Sequence, residues 1–305
     1  MTIVAGFNFS GGVLVCADTE MTDQIQKFQS SKIMTYTFGG GSSGHLPDRV
    51  IFALSGNVPY ARRAIALCAD AVSDMSLHTP LETTNEKIQE SIEKTLLEFH
   101  EKFIFSHPLY RENAAPTVEL IIGVFSHVTG RTSLLATQEC VVNEIHGFDF
   151  VGIGSSFARY VAQLFWRERL TEEEAFLLAA HVLQQTKQNA PNCGKRSEFM
   201  LLKHGTGEMA PVWGLQTSFV ENYSDQYMRL FGSLFFELSD STKSFEQALE
   251  HFRPHAMGLW SFFRSQKAAY NIMARGVAEA QRERADTTKA ADESKPPLGE
   301  SKSQT

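Results

Sequence analysis

The 305-residue sequence lacks the features typical of membrane, nucleic-acid-binding and disulfide-stabilised proteins. No uninterrupted apolar run reaches the roughly 20 residues that a membrane helix needs. No basic segment followed by a long apolar stretch precedes Thr2, so we expect no secretion signal. The net charge of −7 gives no electrostatic footprint for nucleic acid. The four cysteines are far apart and lack a zinc-site spacing. We therefore expect a cytoplasmic globular protein that uses no metal and no cofactor.

The apolar pattern divides the chain into alternating blocks of strands and helix pairs. Two apolar runs flank the turn sequence Ser-Gly-Gly at 10–12, which is typical of a hairpin. The predicted strands are 2–9, 12–18, 32–37, 50–55, 118–125, 132–136, 140–145, 148–152, 198–204 and 209–213, and the predicted helices are 58–75, 82–105, 155–168 and 171–188. This order favours antiparallel sheets flanked by helix pairs, so the predicted fold class is α+β.

Composition predicts three parts in the chain. Residues 2–215 form the main domain, and residues 216–280 form an appended helical extension. Residues 281–305 lose apolar periodicity and are rich in Lys, Glu, Asp, Ser and Pro, so we predict a disordered tail. The extension carries large aromatic side chains that indicate a covering role, either in assembly or in packing on its own domain: Phe231, Phe235, Phe236, Trp260, Phe262 and Phe263.

Thr2 is the first candidate for chemistry. Removal of Met1, which the small Thr2 side chain permits, would make threonine the N-terminal residue. A threonine hydroxyl is a poor nucleophile until a base takes its proton, and a free α-amino group can be that base. Its reference pKa of roughly 8 lets it accept a proton near neutrality. The alternative is that Thr2 is an ordinary residue of the first strand.

Asp18 and Lys32 are the second candidates. Asp18 ends the second apolar run, and Lys32 begins the next apolar strand. A buried pair of this kind beside Thr2 would hold an ammonium near its oxygen and stabilise a developing alkoxide. Lys27 is the competing lysine, but it lies in a polar connection. The alternative for Asp18 and Lys32 is a surface ion pair of little consequence.

Two strand-to-helix junctions complete the candidates. Gly56 ends a strand just before the helix at 58–75, and its N–H can point at an oxyanion near a helix N-terminus. Alternatively, the glycine is needed only for the turn. The second junction, "GIGSS" at 152–156, contains Ser155 but lacks the third glycine of a dinucleotide-binding loop.

With these residues in order, the chain resembles the threonine peptidases of the proteasome β-subunit family, including their bacterial ATP-dependent protease relative. The matching stretches are "TIVAGFNFSGGVLVCADTEMT", "SSKI", "FALSGNVPYARRA" and "DFVGIGSSFARYVAQLF". The resemblance implies Thr2 as nucleophile and base, Asp18 and Lys32 as the activating pair, Gly56 as oxyanion donor, and Ser155 in a supporting junction. It also implies the four-layer αββα sandwich of N-terminal nucleophile hydrolases.

The activity that the resemblance implies is that of a threonine-type endopeptidase. The implied substrates are peptides or unfolded proteins, the implied assembly is a homo-oligomeric ring, and an ATPase unfoldase is a candidate partner. Two alternatives remain: a small-amide hydrolase of the same fold, and a catalytically silent structural subunit. The joint presence of Thr2, Asp18 and Lys32 favours an active protein, because an inactive site has no physical need for all three.

The sequence also departs from the pattern of that family. Ile153 stands where the family often has a serine, so Ser155, Ser156 or a water would have to bond the terminal amine. Asn189 and Asn192 replace acidic and hydroxyl residues, which removes the negative charge that helps to tune the amine.

Overall fold

The computed structural model describes residues 2–22, 27–39, 46–212, 214–239, 242–247, 249–250, 252–262 and 264–265. The chain divides into two compact units, Met1–Gly232 and Ser233–Thr305. The predicted parts 2–215, 216–280 and 281–305 stay predictions, and the last of them lies outside the described residues.

Strands and helices follow one another in the order that the sequence predicts, with a block of strands before each helix pair. The strands are β1 (Val4–Phe9), β2 (Gly12–Asp18), β3 (Glu20–Thr22), β4 (Lys27–Gln29), β5 (Ile33–Phe38), β6 (Asp48–Gly56), β7 (Val118–Ser126), β8 (Arg131–Gln138), β9 (Val141–Glu144), β10 (Phe148–Val151), β11 (Ser197–Lys203) and β12 (Met209–Val212). The α-helices are α1 (Val58–His78), α2 (Asn85–His100), α3 (Ser155–Phe165), α4 (Glu172–Asn189) and α5 (Gly214–Ser239). The predicted α+β class is confirmed.

Two antiparallel five-stranded sheets form the centre of the first unit. One has the strand order β10-β1-β2-β11-β12, and the other has the order β5-β6-β7-β8-β9. Valines of the first sheet, among them Val13 and Val15, pack on Ile121 and Leu134 of the second. A side chain at Gly6 would collide with Leu134, so glycine at this position allows the two sheets to approach closely.

Each sheet also packs against one pair of helices. The helices α1 and α2 lie on β6 and β7, with Ile65 and Ile92 buried in that layer. The helices α3 and α4 lie on β10, β1 and β2. Side-chain caps stabilise the N-termini of two of these helices. The Asn57 side chain accepts from the N–H of Tyr60 at the start of α1, and Thr171 with Glu174 forms a capping box at α4.

The part of α5 that belongs to the first unit packs on α4 through polar side chains. Glu221 is buried and accepts hydrogen bonds from Lys187 at 2.7 Å and from Ser197 at 2.5 Å. In the second unit, Phe235 and Phe236 of the same helix are exposed, and residues 252–262 are helical. Within the described ranges, no helix has both the length and the apolarity that crossing a membrane requires.

Candidate functional site

The ends of several strands meet at one end of the two sheets and bring the candidate residues together. Thr2 precedes β1, and Asp18 is the last residue of the neighbouring antiparallel strand β2. The Asp18 N–H donates to the Ile3 carbonyl at 3.1 Å, and the Ile3 N–H donates to Asp18 Oδ1 at 3.0 Å. Lys32 lies just before β5, and its carbonyl accepts from the Leu54 N–H of β6 at 3.1 Å. The strand register therefore fixes the backbone around all three residues.

The Thr2 hydroxyl lies between a carboxylate and an ammonium. Thr2 Oγ1 donates to Asp18 Oδ1 at 2.5 Å. Lys32 Nζ donates to Thr2 Oγ1 and also to Asp18 Oδ1, the latter at 2.7 Å. The exposed fractions are only 3% for Thr2, 0% for Asp18 and 2% for Lys32. In such a dry environment each charge acts strongly on the hydroxyl oxygen.

Lys32, and not Lys27, is the lysine at this cluster. The Lys32 ammonium makes a further hydrogen bond to the Glu20 carbonyl at 2.6 Å. The side chain of Lys27 is 51% exposed and pairs with the Glu20 carboxylate at 2.6 Å. Glu20 thus binds one lysine through its backbone and the other through its side chain. Sequence reasoning missed Glu20, which sits in a short polar strand with no signal of its own.

Burial shifts the protonation of two groups at the site. It lowers the pKa of Lys32 from its usual value, while the charge and hydrogen bond of Asp18 act in the opposite direction. Burial, followed by the charge of Asp18, raises the pKa of Cys193 to about 12. The Cys193 side chain is therefore a thiol near neutrality.

A loop from a distant part of the sequence closes the far side of Asp18. The Gly194 N–H donates to Asp18 Oδ2 at 3.0 Å. The loop is held in place by Thr19, whose N–H donates to the Arg196 carbonyl at 2.8 Å and whose hydroxyl accepts from the Arg196 N–H at 3.1 Å. Both Asp18 oxygens are thus hydrogen-bonded, which fixes the carboxylate that contacts Thr2. Gly194 was also missed, although "PNCGK" has the composition of a loop.

Gly56 and Ser155 lie near this end of the sheets without bonding Thr2. Gly56 is the last residue of β6 and has φ of 90°. Ser155 is the first residue of α3, and its N–H donates to the Gly152 carbonyl at 3.0 Å. Across the described chain, no hydrogen bond joins either residue to Thr2. The roles predicted for these two residues stay predictions.

Gly152 connects the second junction to Thr2. It follows β10 with φ of 101°, and a side chain there would collide with the Thr2 carbonyl and with Ser55 Oγ. Its N–H donates to Glu119 Oε2 at 2.9 Å. Glu119 therefore holds the backbone that packs on Thr2. No sequence signal singled it out, because it lies inside the long apolar strand β7.

The departures from the expected pattern are also visible. Ile153 is half exposed, Asn189 donates to the Gln185 carbonyl at 2.8 Å, and Asn192 has a left-handed backbone with φ of 62°. None of the hydrogen bonds of the described residues places Ser155 or Ser156 side chains on Thr2. Among the described residues there is no group of three or more His, Cys, Asp or Glu that could hold a metal ion.

Two packed antiparallel sheets, each covered by a helix pair, with a threonine just before β1, define an α+β protein. The chain is similar to solved structures of Anbu proteins. For the Gly-1 mutant of Anbu from Hyphomicrobium sp. strain MC1 the TM-score is 0.62 at 14% identity, over 79% of this chain and 100% of that one. Anbu (ancestral beta-subunit) from Yersinia bercovieri gives 0.59 at 10% identity, over 75% and 96%.

A third match is the structure described as the helical assembly of the Anbu complex from Pseudomonas aeruginosa. Its TM-score is 0.59 at 12% identity, over 76% of this chain and 95% of that chain. At such identities the likeness shows the fold alone. No protein-family model matches the chain, and no curated protein matches it.

The assignment to the proteasome β-subunit family and its bacterial protease relative is wrong. The matched structures are Anbu proteins, which are proteasome-like but form a distinct family. Strand ends place Asp18 and Lys32 beside Thr2 in this chain, and such positions do not by themselves identify a family.

Proposed function

We propose that this chain is a threonine-type N-terminal nucleophile hydrolase that cleaves peptide bonds once Met1 has been removed. The observation that carries the proposal is the buried Thr2 hydroxyl, which donates to Asp18 and accepts from Lys32. Burying a carboxylate and an ammonium costs several kcal/mol per ion before they pair. A site with this arrangement is well suited to stabilising negative charge on the threonine oxygen.

In the proposed reaction, Thr2 Oγ1 attacks the carbonyl carbon of the scissile peptide bond. The free α-amino group of Thr2 takes the hydroxyl proton, so nucleophile and base belong to one residue. Lys32 lowers the energy of the developing alkoxide, and Asp18 holds both Lys32 and the hydroxyl in position.

The tetrahedral intermediate that follows carries its negative charge on the former carbonyl oxygen. We assign Gly56 as the oxyanion donor, through its N–H at the end of β6. The protonated amine then gives its proton to the leaving nitrogen, the C–N bond breaks, and an ester links the acyl group to Thr2. Water, deprotonated by the same amine, attacks the ester carbon, the bond from that carbon to Thr2 Oγ1 breaks, and the proton on the amine returns to Oγ1 as the acid product leaves. Ser155 belongs to the junction that supports the amine.

The proposal includes the wider architecture. We assign the first unit to the four-layer αββα sandwich, which agrees with helix pairs packed on each of two facing sheets. We also propose self-association into a ring or a related assembly that takes peptides or unfolded proteins. The helical assembly reported for the Pseudomonas aeruginosa Anbu complex supports self-association, and an ATPase unfoldase is a candidate partner.

A catalytically silent structural subunit is the competing function. The observation that favours it is that the hydroxyls of Ser155 and Ser156 make no hydrogen bond to Thr2 among the described residues. A site built for a terminal amine would profit from such a bond. The Thr2, Asp18 and Lys32 cluster favours activity, because Asp18 and Lys32 both hydrogen-bond the Thr2 hydroxyl and also bond each other.

Intact-mass spectrometry and two variants test the proposal. The mature protein should lack the mass of Met1, since a retained Met1 leaves no free threonine amine. Fluorescein-labelled casein should be degraded by the parent protein, more slowly by Thr2→Ser, and not by Thr2→Ala. Circular dichroism should show that both variants fold. Turnover by Thr2→Ala at the parent rate would disprove the mechanism, and an inactive parent without Met1 would favour the silent subunit.

A further inference from the structure

A separate cavity of about 360 Å³ lies beside α2, the start of β7 and the end of β8. Its volume is in the range of pockets that bind small molecules. The π-helical turn Glu101–Phe105, which continues α2, supplies part of its wall. Neither the candidate threonine site nor the proposed hydrolysis uses this cavity.

The charged groups of the cavity are all of one sign. Glu119 and Glu139 line it, and no lysine or arginine is among the described residues that do so. Glu119 is half-buried and Glu139 is exposed. A cavity with this lining attracts a cation.

His100 adds a hydrogen-bond acceptor to the same cavity. The residue is only 2% exposed, and its Nδ1 bonds the Leu96 carbonyl at 2.8 Å. Because a carbonyl only accepts, Nδ1 carries the proton, and in the neutral ring Nε2 is an acceptor. No hydrogen bond of His100 in the described part of the chain involves Nε2. A hydrogen-bond donor in the cavity could therefore reach this acceptor.

Two aromatic rings form the apolar part of the wall. Phe105 and Tyr110 line the cavity, and their ring centroids lie 5.2 Å apart with the planes tilted by 59°. Aromatic faces attract organic cations, and more strongly where water is excluded. Carboxylates, an imidazole acceptor and aromatic rings all favour a ligand that is cationic, donates hydrogen bonds and carries an apolar part.

We propose that this cavity binds a small organic ammonium ion with an apolar stem. The ammonium is held by Glu119, Glu139 and His100, and the stem packs on Phe105 and Tyr110. The cavity adjoins the candidate threonine site, because Glu119 also accepts from the Gly152 N–H. A ligand bound to Glu119 shares a carboxylate with the backbone that packs on Thr2.

Isothermal titration calorimetry with 2-phenylethylamine at pH 7.5 tests the proposal, and 2-phenylethanol is the matched neutral probe. The amine should bind at least about tenfold more tightly than the alcohol. Glu139→Gln should weaken amine binding by about threefold to tenfold. Glu119→Gln, which keeps an oxygen to accept from Gly152, should weaken it at least as much. Glu144→Gln on β9, outside the cavity, is the control and should change nothing.

The measurement needs no catalysis, so it gives the same answer in the Thr2→Ala variant and its failure is distinct from that of the proposed function. Equal binding of the amine and the alcohol would show an apolar cavity and overturn the proposal. The proposal also fails if the amine gives no binding at 10-millimolar concentrations, or if it binds Glu119→Gln and Glu139→Gln as tightly as the parent.

Discussion

Two buried polar clusters of the first unit both bring together a hydroxyl, a carboxylate and a nitrogen group. The first is the Thr2, Asp18 and Lys32 cluster. The second lies between α4 and α5, where His181 Nδ1 is 2.7 Å from Ser224 Oγ, and Asp225 Oδ2 accepts from Gln188 at 2.7 Å. By composition alone, the second cluster is as good a candidate for an activated hydroxyl as the first.

The connections within the two clusters differ. Asp18 contacts both the Thr2 hydroxyl and Lys32, so the charges act on one oxygen. In the second cluster, Asp225 accepts from the amides of Gln184 and Gln188, and within the described ranges neither its Oδ1 nor His181 Nε2 has a hydrogen-bond partner. In the first cluster the carboxylate hydrogen-bonds the hydroxyl itself, whereas in the second cluster it hydrogen-bonds Gln184 and Gln188 of α4.

The largest expected effect concerns the lysine of the first cluster. Lys32→Met should reduce hydrolysis by about 100-fold or more, because the alkoxide loses its ammonium partner. Lys27→Met should stay within about twofold of the parent, since that side chain is exposed and pairs with the Glu20 carboxylate instead of Thr2. Rates with labelled casein give the ranking, and circular dichroism checks the fold. The reverse ranking would move the activating role to Lys27.

The next largest effect concerns Gly152, whose backbone packs against Thr2 of the first cluster. Gly152→Ala should lower the free energy of unfolding by about 3 kcal/mol, because of the positive φ and the collision with the Thr2 carbonyl. Gly130→Ala is the matched control: it also has positive φ, of 62°, but open space around its Cα, so about 1 kcal/mol is expected. Urea denaturation measures both. Equal losses would mean that close packing at Thr2 is unimportant.

His181 of the second cluster should make the free energy of unfolding depend on pH. Burial lowers the pKa of His181 from 6.5 to about 4. The unfolded chain therefore binds a proton before the folded protein does, and stability is lost as the pH falls from 6.5 toward 4. Between pH 7.5 and pH 5.0 the loss attributable to His181 should be about 2 kcal/mol.

The control for this pH effect is His181→Phe, which should not show the loss of unfolding free energy attributed to His181. Measuring at pH 5.0 avoids Glu174, whose capping-box hydrogen bonds lower its pKa and whose stabilisation disappears only at lower pH. If parent and variant lose the same free energy of unfolding between the two pH values, His181 is not buried against α5 as described.

Sequence reasoning could find the residues whose position follows from neighbouring strands. Thr2 and Asp18 belong to one hairpin, and Lys32 opens the next long strand, so periodicity and turn signals bring them together. Gly194 contacts Asp18 across 176 residues of sequence. That contact depends on the pairing of β11 with β2, which no local pattern specifies. Long-range pairing is a property of the whole sheet.

The errors in the sequence interpretation have similar causes. The strands β3 and β4 were not predicted, because they are three residues each and polar, and their pairing is supported by the ion pair of Lys27 and Glu20. The family assignment rested on short stretches of sequence, whereas the solved structures that match the fold are Anbu proteins. Glu119 was missed since an acidic residue within an apolar strand gives no sign of the glycine that it binds.

The smallest expected effect concerns the helix that carries His181. Thr171 caps α4: its hydroxyl accepts from the Glu174 N–H at 3.3 Å, and Glu174 accepts from the Thr171 N–H at 3.0 Å. Thr171→Ala should cost about 1 kcal/mol of unfolding free energy, because one N–H of the first turn loses its partner. Thr95→Ala is the control, since Thr95 lies inside α2 and bonds only the Ser91 carbonyl.

Thermal denaturation at pH 7.5 should rank Thr171→Ala below Thr95→Ala, which stays close to the parent because alanine favours a helix interior. Hydrolysis by Thr171→Ala should be unchanged, since the capping box does not touch Asp18 or Lys32. A loss of hydrolysis without a loss of stability would mean that α4 and the first cluster are coupled. The two clusters would then be one functional system and not separate features of the fold.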